Sequence, residues 1–168
     1  MIPQQVYDIF IAFEEESAAL YFSLAEKFET NAELSWFWVE LGMEEKQHAG
    51  LLQYCKDTRM FGTRLPGNAE IQRLAILFKC LRRQVEDTNL TVNQAFETAL
   101  ALEGSEVGSV FQNLIANLRG PWYVIRKKLE LTGENHVTRF ITAAQRFGVS
   151  GEVCRRFEQL HYAPTAAA

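Results

Sequence analysis

The sequence predicts an all-α protein whose core is a bundle of four long helices. Apolar residues recur at alternating steps of four and three along four long segments, as they do on one face of an α-helix. Strand-like alternation is hard to find, and the 4 Pro and 10 Gly residues fall where these segments should end. We therefore expect two helical hairpins joined by a long crossover with a short helix, followed by a short C-terminal helix.

The breaks between segments give the expected boundaries of each element. Asn68 and Thr91 are expected to cap the crossover helix and the third long helix, and Pro121 suits the first turn of the fourth. The bundle should occupy residues 4–147, with a crossover over 57–91 and a C-terminal extension over 148–168. The expected helices are 4–28, 32–56, 69–86, 92–119, 121–147 and 152–161.

Length and composition narrow the class of protein. A chain of 168 residues with 48% hydrophobic content is expected to form a single domain, 1–168, with a real core. The net charge of −4 and the scattering of Lys and Arg argue against nucleic acid as a partner. With no apolar run of membrane-spanning length and no signal-peptide pattern at the N-terminus, a cytoplasmic location is expected.

The three cysteines, Cys55, Cys80 and Cys154, are isolated from one another in the sequence. Because they form no Cys-x-x-Cys pair, they indicate neither a disulfide framework nor a thiolate metal site. We expect them to be small core or surface residues.

Ionisable side chains interrupt the apolar face of every long helix. Residues at these spacings share the face that points toward the other helices, where unpaired carboxylates are rare. The separation between Glu14 and Glu103 is nearly the same as the separation between His48 and His136. The two hairpins therefore repeat the pattern. The interrupting residues are Glu14 on the first helix, Glu45 and His48 on the second, Glu103 and Glu106 on the third, and His136 on the fourth.

This pattern predicts a metal site inside the bundle. Glu45 and His48 form a Glu-x-x-His pair on one helix face, and carboxylate with imidazole suits iron or manganese. Di-metal bundles combine one Glu from each of two helices with a Glu-x-x-His from each of the other two. Gly133 replaces the last expected Glu, which leaves open an asymmetric site, a single-metal site or a site closed by another acid.

Three stretches resemble the rubrerythrin-like branch of the ferritin-like superfamily. Residues 11–27, with Tyr21 seven positions after Glu14, resemble the first helix of that family. Residues 43–52 are similar to its second-helix motif, and 99–106 to its third helix. The resemblance is strong over the first hairpin and weak over the last, and no rubredoxin-type cysteine pair accompanies it.

The resemblance implies a ferritin-like fold and a di-iron oxidoreductase or ferroxidase that uses peroxide or dioxygen. Two Fe ions are implied, with Mn or a single ion as alternatives, together with an external electron donor and a homodimer. The alternative functions are iron or manganese binding without turnover and a degenerate, metal-free interaction module. The implied ligands are Glu45 as a bridge, Glu14 and Glu103 as anchors of one metal each, His48 and His136 as nitrogen ligands, and Glu106 as a redox-responsive ligand.

Overall fold

The computed structural model describes residues 1–116, 124 and 138–162, without the side chains of 106–109 and 161–162. Within these residues all regular secondary structure is helical, which confirms the all-α prediction. The first hairpin was predicted to within one residue at each boundary. The helices are α1 (Pro3–Lys27), α2 (Ala32–Asp57), α3 (Asn68–Glu86), α4 (Val92–Glu103), α5 (Glu106–Ile115), α6 (helical over 138–146) and α7 (Gly151–Tyr162).

One predicted cap is confirmed and another is wrong. The Thr91 hydroxyl accepts a hydrogen bond of 3.3 Å from the amide of Gln94, whose side chain accepts one of 2.8 Å from the amide of Thr91. Asn68, in contrast, is already helical, and the cap residue is Gly67. The Glu70 carboxylate accepts a 2.7 Å hydrogen bond from the Gly67 amide, so the helix starts one residue earlier than an Asn68 cap requires.

The third long helix was predicted to be continuous, but it is interrupted. It ends at Glu103, turns at Gly104 and Ser105, and restarts as α5 at Glu106. Glycine is among the poorest helix formers, and a side chain at Gly104 would approach Leu160 of α7. The segment α5 then ends at Ile115, short of the expected end near residue 119.

Helices α1 and α2 form an antiparallel hairpin, and α3 leads the chain back along α1. Ion pairs join α1 to α2 in antiparallel order, and ring stacking and a hydrogen bond join α1 to α3 in parallel order. The crossover therefore runs from one end of the hairpin to the other, as predicted. These contacts are Asp8 with Lys56, Glu15 with Lys46, Phe13 with Phe78 and Lys27 with the Asp87 carbonyl.

The α4–α5 segment runs antiparallel to α1 and parallel to α2. Tyr21 and Tyr7 of α1 reach Glu103 and Leu114, whereas Phe37 and His48 of α2 face Phe96 and Phe111. Helix α6 is antiparallel to α2, as shown by the ion pairs of Arg146 with Glu33 and of Arg139 with Glu40. Residues 117–123 and 125–137, including Pro121 and most of the predicted fourth helix, lie outside the described residues.

The core contains buried residues from each of the helices α1 to α7, and α7 closes one side of it. Phe157 of α7 stacks on Phe140 of α6 with ring centroids 4.8 Å apart. Cys55 and Cys154 are buried and Cys80 is exposed, which fits their predicted role as small core or surface residues. No helix among the described residues combines the length and apolarity needed to cross a membrane.

Candidate metal centre

The predicted apolar faces of α1 and α2 pack against each other in the hairpin. The ionisable residues that interrupt these two faces are therefore brought together as well. Glu14 is 1% exposed and Glu45 is 6% exposed, although the residues around them on the same faces are apolar. Antiparallel packing places the middle of α1 beside the second half of α2, because Glu15 pairs with Lys46. The two carboxylates are therefore buried together, as the sequence pattern predicted.

His48 completes a three-residue cluster with these carboxylates. Its Nδ1 atom lies 3.1 Å from Oε2 of Glu45 and 3.7 Å from Oε2 of Glu14. One ligand atom from each residue lies within 4.8 Å of the other two, and all three residues belong to the α1–α2 hairpin. The side chain of His48 is 21% exposed, so it forms the most accessible part of the cluster.

One oxygen of the cluster has no hydrogen-bond partner among the described residues. Oε1 of Glu14 is buried, and no described group donates a hydrogen bond to it. Leaving a buried acceptor unsatisfied costs about 1–3 kcal/mol, and more when the group is charged. A cation at the cluster would supply the interaction that this oxygen lacks.

The burial of Glu14 favours its protonated form. Desolvation, with further repulsion from Glu45, raises the pKa of Glu14 to about 8, although the hydrogen bond to His48 opposes the shift. Two carboxylates in one dry site cannot easily both be ionised without a positive charge between them. In the metal-free chain, a proton on Glu14 reduces that repulsion.

The charge of His48 is stabilised by the same two carboxylates. Burial alone would lower the pKa of His48, but the hydrogen bonds and charges of Glu14 and Glu45 outweigh it and raise the pKa to about 10. The imidazolium therefore supplies positive charge to the centre in the metal-free chain. A metal ion bound here would take the place of that proton.

Glu103 lies near this cluster but belongs to a different hydrogen bond. The Tyr21 hydroxyl donates a 2.6 Å hydrogen bond to Oε1 of Glu103. Burial, together with the charges of Glu103 and Glu45, raises the pKa of Tyr21 well above its ordinary value, so the hydroxyl keeps its proton. Among the described residues, Glu103 joins no group of three possible metal ligands.

Two aromatic residues that sequence analysis did not assign to the site also shape it. The ring of Phe111 on α5 lies against the His48 imidazole, with centroids 4.4 Å apart. The Trp38 ring stacks on Tyr21 at 6.0 Å. Val110 and Phe111 are both buried. Two adjacent apolar residues were the available signal, and periodicity alone could not choose between them.

The remaining predicted ligands are described in part or not at all. Glu106 is the first residue of α5, and its side chain is outside the described residues. His136 lies outside them as well, as do Gly133 and the two acids near it, Glu130 and Glu134. Of the six predicted ligands, the structure brings together Glu14, Glu45 and His48.

The donor set suits a divalent transition metal. Two carboxylates and one imidazole are ligands for iron, manganese or zinc, and the absence of thiolate from the cluster disfavours metals that prefer sulfur. One divalent cation would balance the two carboxylate charges inside the low-dielectric interior. The residues present fit a metal ion in three respects: their charge, their ligand type and the Glu14 oxygen that has no partner among the described residues.

Lys46 and Arg139, which lie close to the centre in the fold, are engaged elsewhere. Lys46 pairs with Glu15 on the exposed side of the hairpin, and Arg139 of α6 pairs with Glu44 and Glu40. Among the described residues, the ion-pair partner of the Glu14 carboxylate is therefore His48. Within the part of the chain that the structure describes, a metal ion would therefore not have to displace a Lys or Arg side chain from Glu14.

Comparison of the chain with protein-family models, with curated proteins and with solved structures finds no match. The resemblance to the rubrerythrin-like branch thus remains a prediction that rests on the quoted residues.

Proposed function

We propose that this protein is a metal-dependent oxidoreductase that holds iron or manganese at Glu14, Glu45 and His48 and acts on peroxide or dioxygen. The observation that supports the proposal is that two buried carboxylates and a partly exposed histidine have ligand atoms within 4.8 Å of one another. Buried ionised groups each cost several kcal/mol unless an opposite charge compensates them. A binding site for a cation explains why the chain keeps them.

A bound iron or manganese ion would supply one-electron redox chemistry toward an oxygen substrate. The two carboxylates would hold it from α1 and α2, and the His48 imidazole would provide a nitrogen ligand once it has lost its proton. The apolar residues that surround the cluster exclude bulk water and so strengthen these charge interactions. The partly exposed His48 edge marks the side from which a small molecule would approach.

The directions of the helices support the ferritin-like architecture that the sequence resemblance implies. The chain forms a hairpin, then a crossover that returns along α1, then a third segment parallel to α2. A four-helix bundle with one long connection has this order of elements. The antiparallel ion pairs between α6 and α2 agree with the expected direction of a fourth helix. We propose the ferritin-like bundle on this basis.

The proposal is tested by metal binding and by reaction with peroxide. The purified protein, loaded anaerobically with Fe(II) and desalted, should retain iron, and added peroxide should oxidise it with a change in optical absorption. Glu14→Gln and Glu45→Gln should abolish retention. Glu15→Gln is the matched control, because Glu15 is adjacent but half-exposed and should leave retention unchanged. Retention unchanged in the first two variants would refute the proposal.

Metal binding without turnover is the second candidate function. The near-complete burial of Glu14 and Glu45 favours it, because a closed site holds a metal well and admits a substrate poorly. Under this candidate, iron is retained but its oxidation by peroxide is no faster than that of iron bound to a chelator in solution. The same optical measurement therefore separates the two functions.

The proposed function implies two interaction partners for the chain. An oxidoreductase without a second redox group requires an external electron donor, and we also expect a homodimer. Sedimentation velocity at micromolar concentration tests the dimer directly. A single species with the mass of one chain would exclude it under those conditions.

A further inference from the structure

We infer that Phe111 is a positioning residue for the metal centre, because its ring holds the plane of the His48 imidazole in one orientation. This inference rests on the proposed function of Glu14, Glu45 and His48 as metal ligands. It gives α5, the helix that carries Phe111, a role in the centre although the three ligands belong to the α1–α2 hairpin.

Two different contacts define the orientation of the His48 ring. One edge of the ring carries Nδ1, which lies 3.1 Å from Oε2 of Glu45 and 3.7 Å from Oε2 of Glu14. A face of the ring lies against Phe111, with ring centroids 4.4 Å apart and an angle of 35° between the two planes. The carboxylates thus determine which edge turns inward, whereas Phe111 restricts rotation of the plane.

The orientation of the imidazole plane matters because His48 is a proposed metal ligand. The lone pair with which a histidine nitrogen binds a metal lies in the plane of the ring, so the plane fixes the direction of the bond to the ion. The side chain of His48 is partly exposed, and burial alone therefore does not immobilise it. Partners that orient a ligating histidine typically contribute about 10–100-fold to metal affinity.

The position of Phe111 is itself fixed by contacts of α5. The Phe111 side chain is 2% exposed. One helical turn further along α5, the carbonyl of Leu114 accepts a 2.6 Å hydrogen bond from the Tyr7 hydroxyl of α1. These contacts hold α5 against the hairpin that carries the ligands. Phe111 can therefore hold the imidazole in place rather than follow its movements.

The helix break before α5 allows Phe111 to reach His48. Within one continuous helix, the direction of each side chain follows from the directions of the side chains before it. Helix α4 ends at Glu103 and α5 begins at Glu106, so the direction of the α5 side chains is not determined by α4. The contacts of α5 with His48 and with Tyr7 determine it instead.

An aromatic side chain suits this role better than an aliphatic one. A flat ring packs over the face of the planar imidazole, and such ring pairs are worth more than the area they bury. A leucine at position 111 would fill much of the same volume but would present no flat surface. The ring of Phe111, rather than its apolar character alone, is therefore the feature to test.

The test compares two α5 variants in a Co(II) titration of the full chain, because visible absorption reports both the amount of bound Co(II) and its ligand geometry. Phe111→Leu should bind Co(II) about tenfold more weakly than the unmodified chain, with a changed spectrum. Val110→Ala is the matched control, because Val110 is also buried on α5 but has no ring. It should keep both the affinity and the spectrum.

Three outcomes would contradict the inference. Unchanged affinity and spectrum in a Phe111→Leu protein that circular dichroism shows to be folded would overturn it and leave the proposed function intact. Equal losses in the two variants would also overturn it, because they would reflect a general loosening of α5. An unmodified chain that binds no Co(II) would overturn both the inference and the proposed function.

Nuclear magnetic resonance of the unmodified chain decides the question even if Phe111→Leu does not fold. Nuclear Overhauser effects between the ring protons of His48 and Phe111 should be present in the metal-free chain. They should persist when Zn(II), a diamagnetic ion that suits the same ligands, is bound. Their loss on Zn(II) binding would show that Phe111 releases the metal-bound imidazole, and the inference would be wrong.

Discussion

The Tyr21 hydroxyl donates a 2.6 Å hydrogen bond to the Glu103 carboxylate and so ties the third quarter of α1 to the last residue of α4. The tyrosine is 1% exposed, and its ring stacks on Trp38. Because burial and nearby carboxylates hold its pKa far above the ordinary value, the hydroxyl donates throughout the physiological pH range. The bond is thus a permanent link between the hairpin that carries the centre and the second half of the fold.

Tyr21→Phe removes the donor from this link and preserves the ring. We expect the free energy of unfolding to fall by about 1–3 kcal/mol, because a partly buried carboxylate loses its hydrogen bond. Urea denaturation of the metal-free protein measures the change. A double-mutant cycle with Glu103→Ala, which removes the acceptor, isolates the contact, and a coupling energy below about 0.5 kcal/mol would contradict the assignment.

Metal-free protein should lose stability as the pH rises from 6.5 to 8. In the folded chain the pKa of Glu14 is about 8 and that of His48 about 10, against ordinary values of 4.5 and 6.5. Between pH 6.5 and 8 the folded chain therefore keeps protons on both groups that the unfolded chain has released. Stability then falls with rising pH, by up to about 1.4 kcal/mol per unit for each group.

Denaturation in the presence of a chelator at pH 6, 7, 8 and 9 tests this slope. Above pH 8 the contribution of Glu14 is lost, and only His48 continues to lower stability until about pH 10. Glu14→Gln removes one of the two titrating groups and should flatten the curve between pH 6.5 and 8. A variant whose slope equals that of the unmodified chain would show that Glu14 does not titrate in this range.

The first hairpin could be predicted closely because its signals are local. The regular apolar faces of α1 and α2, separated by the polar residues 29–31, predicted boundaries within one residue of those observed. The same periodicity placed Glu14, Glu45 and His48 on the inner faces. Because two helices joined by a short turn pack antiparallel, the residues of one face that lie beside those of the other are nearly fixed.

The third segment was harder to predict because the break within it has no strong local signal. A single glycine within an apolar pattern is often tolerated in a helix. The break lies at Gly104 and Ser105, and a Cβ atom at Gly104 would lie 3.0 Å from the carbonyl oxygen of Leu100. The Tyr21 hydrogen bond to Glu103 was equally hidden, because it joins residues that are far apart in the sequence.

Gly62 and Gly50 should respond in opposite ways to substitution by alanine. A Cβ atom at Gly62 would lie 2.3 Å from the Asn113 carbonyl oxygen, a backbone atom that cannot move aside easily, whereas nothing lies within 4 Å at Gly50. Gly62→Ala should cost about 1–3 kcal/mol. Gly50→Ala, on the exposed side of α2, should stabilise the chain by up to about 1 kcal/mol.

The reason for the close approach at Gly62 is the hydroxyl of Tyr7. It donates a 2.6 Å hydrogen bond to the Leu114 carbonyl and accepts one of 2.8 Å from the Gly62 amide, which holds the crossover against α5. Urea denaturation of the two alanine variants measures the effect. Equal free energies for both would mean that the crossover can move away from α5 at little cost.

Metal affinity should increase with pH over the range in which metal-free stability decreases. Binding requires an ionised Glu14 and a neutral His48, so the ion competes with protons for both residues. Because the pKa of Glu14 is about 8 and that of His48 about 10, the affinity for Mn(II) should rise roughly tenfold or more per pH unit between pH 6.5 and 8.

Isothermal titration calorimetry in two buffers of different ionisation enthalpy counts the protons released when Mn(II) binds. We expect a release of between one and two protons at pH 7, and the same release from the Glu15→Gln control, whose altered residue lies outside the cluster. Affinity that stays constant from pH 6.5 to 8 would mean that Mn(II) binds without displacing these protons. The ion would then occupy a position away from the Glu14 and His48 atoms that face each other at 3.7 Å.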